Sequence, residues 1–279
     1  MSLSLRDELR VVMYRDQIQV LRIGRKLTLK GKVFNIVEKK VYPLAAEGQT
    51  GQEEALKTLE TALSALPAKP AFATVILSSH YMNYAMVVLN QSLSNEAEEL
   101  AYAKHCFVQL YGPVAEGWEF RLNHDHAGEQ QIASAVDAQF LQNIRAVFAR
   151  LNMKLRSVQP SLMAAYNNCH SELHDQDVWF VQYEYGRLCV GLVRQGHWFS
   201  IRTFNVADDW FENLNEILDR EACLSELDVS SDKIFLWAPE YVKTEMPQSA
   251  RWKIRRLKPV IRASFATDFE ERFAIAMCG

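Results

Sequence analysis

The sequence predicts an α/β protein of two duplicated halves, each a mixed sheet with helices. Two observations support this class. Residues 17–42 and residues 177–206 each read as strands joined by tight turns, because apolar and polar residues alternate between short turn signals. One amphipathic helix and then one apolar strand follow each stretch, so the same order of elements occurs twice.

The first copy is predicted from its turns and its leucines. Three strands are expected within 17–42, with turns at Gly24 and at Lys30. The stretch GQEEALKTLETALSAL carries leucines at helical spacing, and Pro67 ends that helix. The runs FATVILSS and NYAMVVLN then have the length and composition of strands.

The middle of the chain predicts helices and strands in alternation. SNEAEELAYAKHCFVQLYG reads as a helix that begins near Ser94 or Asn95 and ends at Gly112. GWEFRLN and QQIASAVD are predicted strands, after which Asp137 caps a helix with one apolar face. LRSVQP is then a short strand and SLMAAYNNC a short helix, which puts the boundary between the halves near Pro160.

The second copy follows that boundary. In DVWFVQYEYGRLCVGLVRQGHWFSIRTFNV, Gly186 and Gly196 mark two turns between three strands. ADDWFENLNEILDREACL is predicted to be the helix and KIFLWAPEY the next strand. The chain is therefore divided into a first half, 1–160, and a second half, 161–279, and a return of the final helix to the first half is left open.

Composition limits the classes of function. The chain is 49% hydrophobic and 23% charged, as in an ordinary globular protein, and its net charge of -3 offers no global basic field for nucleic acid. Five scattered cysteines without a CxxC pair predict reduced thiols. No apolar run reaches the length of a membrane span and no signal peptide is recognised, so a cytoplasmic location is expected.

Several stretches resemble one family of assembly proteins. VILSSHYMNYAMVVLNQSLSNEAEELAYAKHCFVQLYG, SVQPSLMAAYN and GRLCVGLVRQGHWFSIRT resemble PilM of type IV pilus machines and the cytoplasmic part of GspL of type II secretion. The ending EERFAIAMCG is similar to the short final helix of PilM proteins. Over most of the chain, the resemblance implies the actin-like (ribonuclease H-like) fold.

The resemblance also implies a function. It suggests a non-catalytic cytoplasmic scaffold of a pilus or secretion apparatus, peripheral to the inner membrane. The implied partner is the cytoplasmic segment of a single-pass inner-membrane assembly protein. In the family, PilM proteins bind such a segment of PilN. No nucleic-acid partner is expected, and a homo-oligomer is left open.

The resemblance further directs attention to phosphate-binding turns. Nucleotide-binding members of the fold carry Asp-x-Gly at the first hairpin of each half, where glycine admits a phosphate and aspartate holds Mg²⁺. Here Arg22 precedes Gly24 in the predicted first hairpin, and Glu184 precedes Gly186 in the second. Arginine cannot ligate Mg²⁺ because it has no acceptor atom. A surface or salt-bridged role is therefore expected for Arg22, with anion binding as the alternative.

Two further departures point the same way. Arg187 follows the second turn in place of a small residue, and Trp237-Ala238-Pro239 stands where an adenosine turn requires glycines. These features predict no catalytic residue, no metal and no cofactor, with residual ATP binding left open. Glu184 is interpreted as a surface strand residue, and the alternative is the metal-side acid of a divergent ATPase or kinase.

The most basic stretch is RWKIRRLKPVIR, residues 251–262. Packing of this segment between the two predicted halves, with its charges solvated, is expected. The alternatives are contact with anionic lipid or an acidic partner, and a nucleic-acid-binding module. The residues that would make a partner or membrane contact are Arg251, Trp252, Lys253, Arg255, Arg256 and Lys258.

Two groups of histidines are close enough in sequence to be considered as metal ligands. His124 and His126 flank Asp125 between two predicted strands, where a solvated turn is expected. His170 and His174 are four residues apart at the end of a helix, but no third ligand is spaced nearby. No zinc site is therefore predicted.

Overall fold

The computed structural model describes residues 3–28, 31–44, 51–67, 70–88, 95–122, 130–225, 231–241, 245 and 249–278, with 3–6, 27–28 and 31–32 described by backbone alone. The strands are β1 (Leu3–Met13), β2 (Gln17–Thr28), β3 (Gly31–Pro43), β4 (Phe72–Leu77), β5 (Met82–Val88), β6 (Trp118–Leu122), β7 (Gln130–Asp137), β8 (Leu155–Pro160), β9 (Val178–Glu184), β10 (Arg187–Arg194), β11 (His197–Asn205), β12 (Lys233–Trp237) and β13 (Lys253–Arg256). The helices are α1 (Gly51–Ser64), α2 (Glu96–Tyr111), α3 (Ala138–Arg150), α4 (Ser161–Asn168), α5 (His170–Leu173), α6 (Leu214–Leu224) and α7 (Ala274–Met277). Short 3₁₀ helices occur at Pro113–Gly117, Pro239–Tyr241, Ala263–Asp268 and Glu271–Phe273.

The chain forms two compact units, each assembled from separated segments. The segments are Met1–Tyr81, Ala138–Asn168 and Pro259–Gly279 for unit 1, and Met82–Asp137 and Cys169–Lys258 for unit 2. Both units therefore draw on residues from either side of Pro160. The predicted halves, 1–160 and 161–279, rest on the repeated order of elements, whereas the two units are defined by compactness. The division into halves therefore stays a prediction.

Unit 1 is built on a five-stranded mixed sheet with the order β3-β2-β1-β4-β8. β1, β2 and β3 are antiparallel, whereas β4 and β8 run parallel to β1. The predicted helix α1 is confirmed, and it packs against α3. Helix α7 packs on β1 and β2, which brings the end of the described chain back onto this sheet.

The boundaries predicted for the first hairpins are wrong. Residues 17–42 hold two strands, β2 and β3, and the third strand is β1, which precedes them. The turn between β1 and β2 lies after Tyr14, whose backbone N–H donates to the Gln17 carbonyl over 2.9 Å. The charged Glu8 and Arg10 interrupt the apolar pattern of β1, which is why alternation does not predict it. The turn predicted at Lys30 lies outside the described residues.

The described residues of unit 2 form two sheets. The first has the order β11-β10-β9-β12-β13 and pairs its strands in the same sense as the sheet of unit 1, which confirms the predicted duplication. The three strands predicted within 177–206 are confirmed as β9, β10 and β11. The second sheet, β5-β7-β6, is antiparallel and packs against α2.

The two long helices of unit 2 differ in how well their starts are predicted. Helix α2 begins after Asn95, whose Oδ1 accepts the Glu98 backbone N–H at 3.0 Å, and it ends at Gly112 as expected. Helix α6 begins at Leu214, later than predicted from ADDWFENLNEILDREACL. The residues before it form turns that bury Trp210, so this tryptophan joins the core from outside the helix.

Candidate functional site

The β9–β10 turn is the part of the predicted phosphate site that the structure brings together. Glu184 ends β9, Arg187 begins β10, and these two residues pair across the hairpin. Gly186 has a φ of 73°, a left-handed conformation that glycine adopts without a steric cost. Tyr185, at the tip, is 58% exposed. The acid and the glycine therefore lie at one tight turn, as predicted.

Glu184 itself is not the surface residue expected from the sequence. Its exposed fraction is 7%, and Gln182, two residues earlier on the same face of β9, is 1% exposed. The Gln182 amide donates from Nε2 to Glu184 Oε1 over 3.4 Å. The expectation that Glu184 lies at the surface is therefore wrong. Alternation along a strand predicts which residues share a face, but it does not predict what covers that face.

Arg187, the residue after this turn, is held across the neighbouring strand. Its Nη1 donates to Asn205 Oδ1 over 2.6 Å, and its Nη2 donates to Thr203 Oγ1 over 3.2 Å. Two hydrogen bonds from one guanidinium fix its direction along the hairpin. The position after the glycine therefore carries a bulky, anchored cation where a phosphate turn would have a small residue.

The segment after β12 is packed with aromatic side chains. Trp237 and Ala238 are each 1% exposed. Nearby, the Tyr183 and Trp210 rings stack with centroids 4.1 Å apart, and the Tyr241 hydroxyl donates to the Tyr183 hydroxyl over 3.3 Å. Burial raises the pKa of Tyr183, and the Tyr241 hydrogen bond raises it further, so the phenol stays neutral. This end of the sheet is filled by side chains of its own.

The first hairpin does not carry the predicted phosphate turn at Arg22 and Gly24. Both residues lie inside β2, away from the turn at Tyr14. Arg22 Nε contacts Asp7 Oδ2 at 2.6 Å, so the arginine is salt-bridged as expected. A Cβ on Gly24 would lie 2.8 Å from Asn35 Oδ1, which gives this glycine a packing role in the strand.

The residues at the true β1–β2 turn are Tyr14, Arg15 and Asp16, without a glycine. Burial raises the pKa of Asp16. The Tyr14 carbonyl accepts a hydrogen bond from the Tyr81 hydroxyl at 3.1 Å. Burial also raises the pKa of Tyr81, to about 12, and the charge of Asp16 acts in the same direction. Sequence reasoning missed this turn because it missed β1.

Residues 251–258 of the basic stretch belong to unit 2 and make contacts within it, whereas residues 259–262 belong to unit 1. Arg251 Nη1 lies 2.8 Å from Asp219 Oδ1, and the same carboxylate oxygen accepts the Trp252 indole N–H at 3.0 Å. Trp252 is 4% exposed and belongs to the core between the sheet and α6. An indole buried in this way is unavailable to a membrane or a partner.

The other predicted contact residues differ in their surroundings. Lys253 Nζ lies 2.5 Å from Asp232 Oδ2, and Arg255 forms an ion pair with Glu172. Burial lowers the pKa of Arg256. Lys258 is exposed. Trp252 and Leu257 are therefore buried in the fold, whereas the ion-paired side chains of Arg251, Lys253 and Arg255 remain at least half exposed to solvent.

The histidine groups do not form a metal site within the described part of the chain. The His170 and His174 ring centroids are 5.3 Å apart, and His174 Nδ1 lies 2.7 Å from Asp175 Oδ1. Among the described residues, no three side chains of His, Cys, Asp or Glu are grouped closely enough to hold an ion. His124 and His126 lie outside the described residues.

Sequence reasoning also missed a buried ionic cluster in unit 1. Glu8 accepts hydrogen bonds from Arg10 Nε at 2.9 Å and from Arg25. Arg10 also donates to the backbone carbonyls of Ala276 at 3.1 Å and of Cys278. Two opposite charges at i and i+2 within an apolar strand are the signal that could have indicated this pair.

Comparison with known proteins identifies the fold. No protein-family model matches the sequence, and no curated protein matches it. The structure is similar to that of a PilM–PilN type IV pilus biogenesis complex, with a TM-score of 0.60 and 10% identity over 82% of this chain and 80% of that chain. It is also similar to the cytoplasmic domain of EpsL, an inner-membrane component of the type II secretion system of Vibrio cholerae. That match has a TM-score of 0.55 and 12% identity over 96% of this chain and 94% of that chain.

A third similar structure is a Bacteroides thetaiotaomicron protein with an actin-like ATPase fold and unknown function. Its TM-score is 0.54 and its identity 10%, over 83% of this chain and 81% of that chain. The duplicated sheet order and these three likenesses show an actin-like fold of the PilM and GspL type. None of the described helices combines the length and the apolar character needed to cross a bilayer.

Proposed function

We propose that this protein is a non-catalytic scaffold or adaptor of a type IV pilus-like or type II secretion-like apparatus. In this proposal it resides in the cytoplasm and reaches the inner membrane by binding the cytoplasmic segment of a single-pass assembly protein. One observation carries the proposal. In unit 2, the protein's own side chains occupy the positions where a nucleotide-binding member of the fold would hold phosphate and adenosine. The likeness to structures of pilus and secretion proteins supports the choice of apparatus.

Two features of unit 2 argue against ATP turnover. A phosphate turn needs open backbone amides and a carboxylate that can reach Mg²⁺ through water. Here Glu184 is buried beside Gln182, and Arg187 is anchored to the next strand by two hydrogen bonds. The adenine ring of ATP would need space after β12, but Trp210 and Tyr241 pack their rings together in that region.

The proposal is tested first by isothermal calorimetry with Mg-ATP. We expect no saturable heat up to millimolar nucleotide, and no change in Glu184→Ala or in the closer control Glu184→Gln. Circular dichroism of both variants checks that they remain folded. Micromolar binding that is lost in both folded variants would replace the scaffold proposal with a nucleotide-dependent one.

The partner is tested separately. The purified protein, immobilised on beads, is incubated with detergent-solubilised inner membranes, and a retained single-pass protein is identified by mass spectrometry. A synthetic peptide of its cytoplasmic segment is then titrated by calorimetry. Saturable binding of the peptide supports the adaptor role, and retention without peptide binding argues against it.

A second candidate function is a divergent Mg²⁺-dependent ATPase or kinase. The observation that favours it is the acid-x-Gly turn itself, in which Glu184 stands two residues before the left-handed Gly186, because a carboxylate beside a glycine turn is the arrangement that holds Mg²⁺ and a phosphate. Turnover that requires Mg²⁺ and disappears in Glu184→Gln would establish this candidate. Turnover that is unchanged in Glu184→Gln would exclude Glu184 as the metal-side acid.

A further inference from the structure

Unit 1 contains a cavity that the proposed scaffold role does not use. Its volume is about 460 Å³, within the range of roughly 300–1,000 Å³ typical of sites for small molecules. It is partly open to solvent and is bordered by the end of β8, by α4 and by the C-terminal segment. The residues that line it are Gln159, Ala164, Asn167, Asn168, Val260, Ile261, Arg262 and Cys278.

The walls of this cavity are held in place by hydrogen bonds. Asn168 Nδ2 donates to the Val260 carbonyl at 2.7 Å, and Asn168 Oδ1 accepts the Val260 backbone N–H at 2.8 Å. Ile261 and Cys278 form an antiparallel bridge on the other side. A cavity whose walls are fixed in this way keeps its shape without a ligand, which reduces the entropy cost of binding one.

Two amide side chains that line the cavity have unused hydrogen-bonding capacity. Gln159 and Asn167 make no side-chain hydrogen bond with any residue that the structure describes. Each amide offers two donors and one acceptor oxygen. The Asn168 amide, in contrast, already forms two hydrogen bonds with the Val260 backbone. The two unpaired amides therefore face a shared space in which a polar ligand could satisfy them.

The charge near the cavity is positive. Arg262 lines it, and none of the described lining residues is acidic. Burial lowers the pKa of the Arg262 guanidinium, and the neighbouring Arg10 and Arg25 lower it further, against the opposing effect of Glu8. Arginine nevertheless remains protonated in proteins, so this end of unit 1 keeps an excess of cationic groups. An anion beside Arg262 would be attracted by these guanidinium groups, although Arg10 and Arg25 are also paired with Glu8.

We propose that this cavity binds a small organic anion that carries one carboxylate or phosphate group. The Arg262 guanidinium would pair with the anionic group, since its fork of donors matches the geometry of both groups. The Gln159 and Asn167 amides would hydrogen-bond the remaining oxygens. Ala164, Val260 and Ile261 provide an apolar wall, which favours an organic molecule over a bare inorganic ion.

The site would also couple a ligand to the C-terminal segment. Val260, Ile261, Arg262 and Cys278 belong to the segment that returns to unit 1, whereas Gln159 and Asn167 belong to β8 and α4. A ligand that contacts both groups of residues stabilises the docked segment by mass action. Binding is therefore expected to slow hydrogen exchange of the backbone amides at 261–262.

The test is calorimetry of the full chain with butyrate and with methyl phosphate, and with the uncharged butyramide as the negative control. We expect saturable binding of at least one anion and none of butyramide. Asn167→Asp places a negative charge in the cavity at an exposed position, so the variant is expected to fold and to bind about 10- to 100-fold more weakly. Asn143→Asp makes the same charge change on α3, outside the cavity lining, and should bind like the wild type.

Arg262→Gln provides a second variant that removes the cation, with circular dichroism to confirm folding. Loss of binding in this variant and in Asn167→Asp, together with slower exchange at 261–262 in the wild type, supports the site. The absence of saturable binding of either anion up to tens of millimolar overturns the proposal. Binding that is unchanged in Asn167→Asp also overturns it, because the anion would then bind elsewhere.

Discussion

The five-stranded sheets of the two units have the same strand order but are stabilised by different interactions. The sheet of unit 1 buries a network of charges, in which Glu8 joins Arg10 and Arg25, and Arg10 reaches the carbonyls of the C-terminal segment. The sheet of unit 2 buries aromatic rings, with Trp179, Trp210 and Trp252 in one cluster that includes α6. The comparison shows that strand order does not dictate the chemistry of the layer packed on the sheet.

This difference has an experimental consequence. All six tryptophans of the chain lie in the segments that form unit 2. Tryptophan fluorescence therefore follows the unfolding of unit 2, whereas circular dichroism follows both units. The two signals together allow each of the following variants to be assigned to the unit that it alters.

The largest effect is expected from the aromatic layer. Trp210 is 1% exposed and stacks on Tyr183, so Trp210→Ala leaves a large void and should cost about 3–5 kcal/mol of unfolding free energy. Urea unfolding followed by tryptophan fluorescence measures this loss. Leu110→Ala, at a residue 63% exposed in the same unit, should change the free energy by less than about 0.5 kcal/mol. A similar loss in both variants would contradict a packed aromatic layer.

A slightly smaller effect is expected from the ionic layer of unit 1. The side chains of Arg10 and Glu8 are 8% and 7% exposed, so Arg10→Met leaves a buried carboxylate with one cation fewer. The expected loss is about 3 kcal/mol, measured by urea unfolding with circular dichroism. Arg150→Met, which breaks an exposed pair with Glu60, should cost at most about 1 kcal/mol. Equal losses of unfolding free energy in the two variants would mean that the buried ion pair contributes no more to stability than the exposed one.

The ionic layer also predicts a dependence on pH that the aromatic layer lacks. Burial alone would raise the pKa of Glu8, but Arg10 and Arg25 together lower it below its ordinary value of 4.5. Because the folded pKa is lowered, the stabilisation is present above pH 4.5 and is lost as the pH falls through the folded pKa. The wild type should therefore lose stability on acidification more steeply than Glu8→Gln. Parallel curves for the two proteins would count against a charged Glu8 in the folded state.

The smallest effect concerns the first hairpin turn of each sheet, which contains a glycine in unit 2 but not in unit 1. Gly186 has a φ of 73°, so Gly186→Ala should cost about 1–2 kcal/mol, because a Cβ is disfavoured in this conformation. Fluorescence-monitored unfolding detects the change in unit 2. Gly117→Ala, in the same unit, is the control, since a Cβ there would meet no atom within 4 Å, and no loss is expected. A neutral Gly186→Ala would show that the turn relaxes to accept a side chain.

Local patterns predicted the parts of this fold that depend on neighbouring residues. The alternation and glycines of 177–206 predicted β9, β10 and β11, and the leucine spacing of 51–64 predicted α1. The prediction failed at β1, where Glu8 and Arg10 stand at inward positions that the alternation rule reserves for apolar residues. That failure moved the predicted first turn to Arg22 and Gly24, which lie inside β2.

The candidate site divides in the same way. The acid and the glycine of the β9–β10 turn could be predicted, because both are set by residues within the hairpin. The burial of Glu184 could not, since it depends on what covers that face of the sheet. The ion pairs of 251–262 could not be predicted either, because Arg251 and Arg255 meet Asp219 and Glu172, 32 and 83 residues away.

The order of strands and helices follows from periodicities that extend over a few residues, and periodicities of this kind can be read in one dimension. The partners of charged and polar groups do not follow from them. Arg10 binds the carbonyl of Ala276, 266 residues further along the chain, because the folded sheet brings the two together. A buried charge is stable only when such a partner is present, so its environment is settled by contacts between distant segments. The cavity beside Arg262 arises in the same way, from β8, α4 and the returning C-terminal segment.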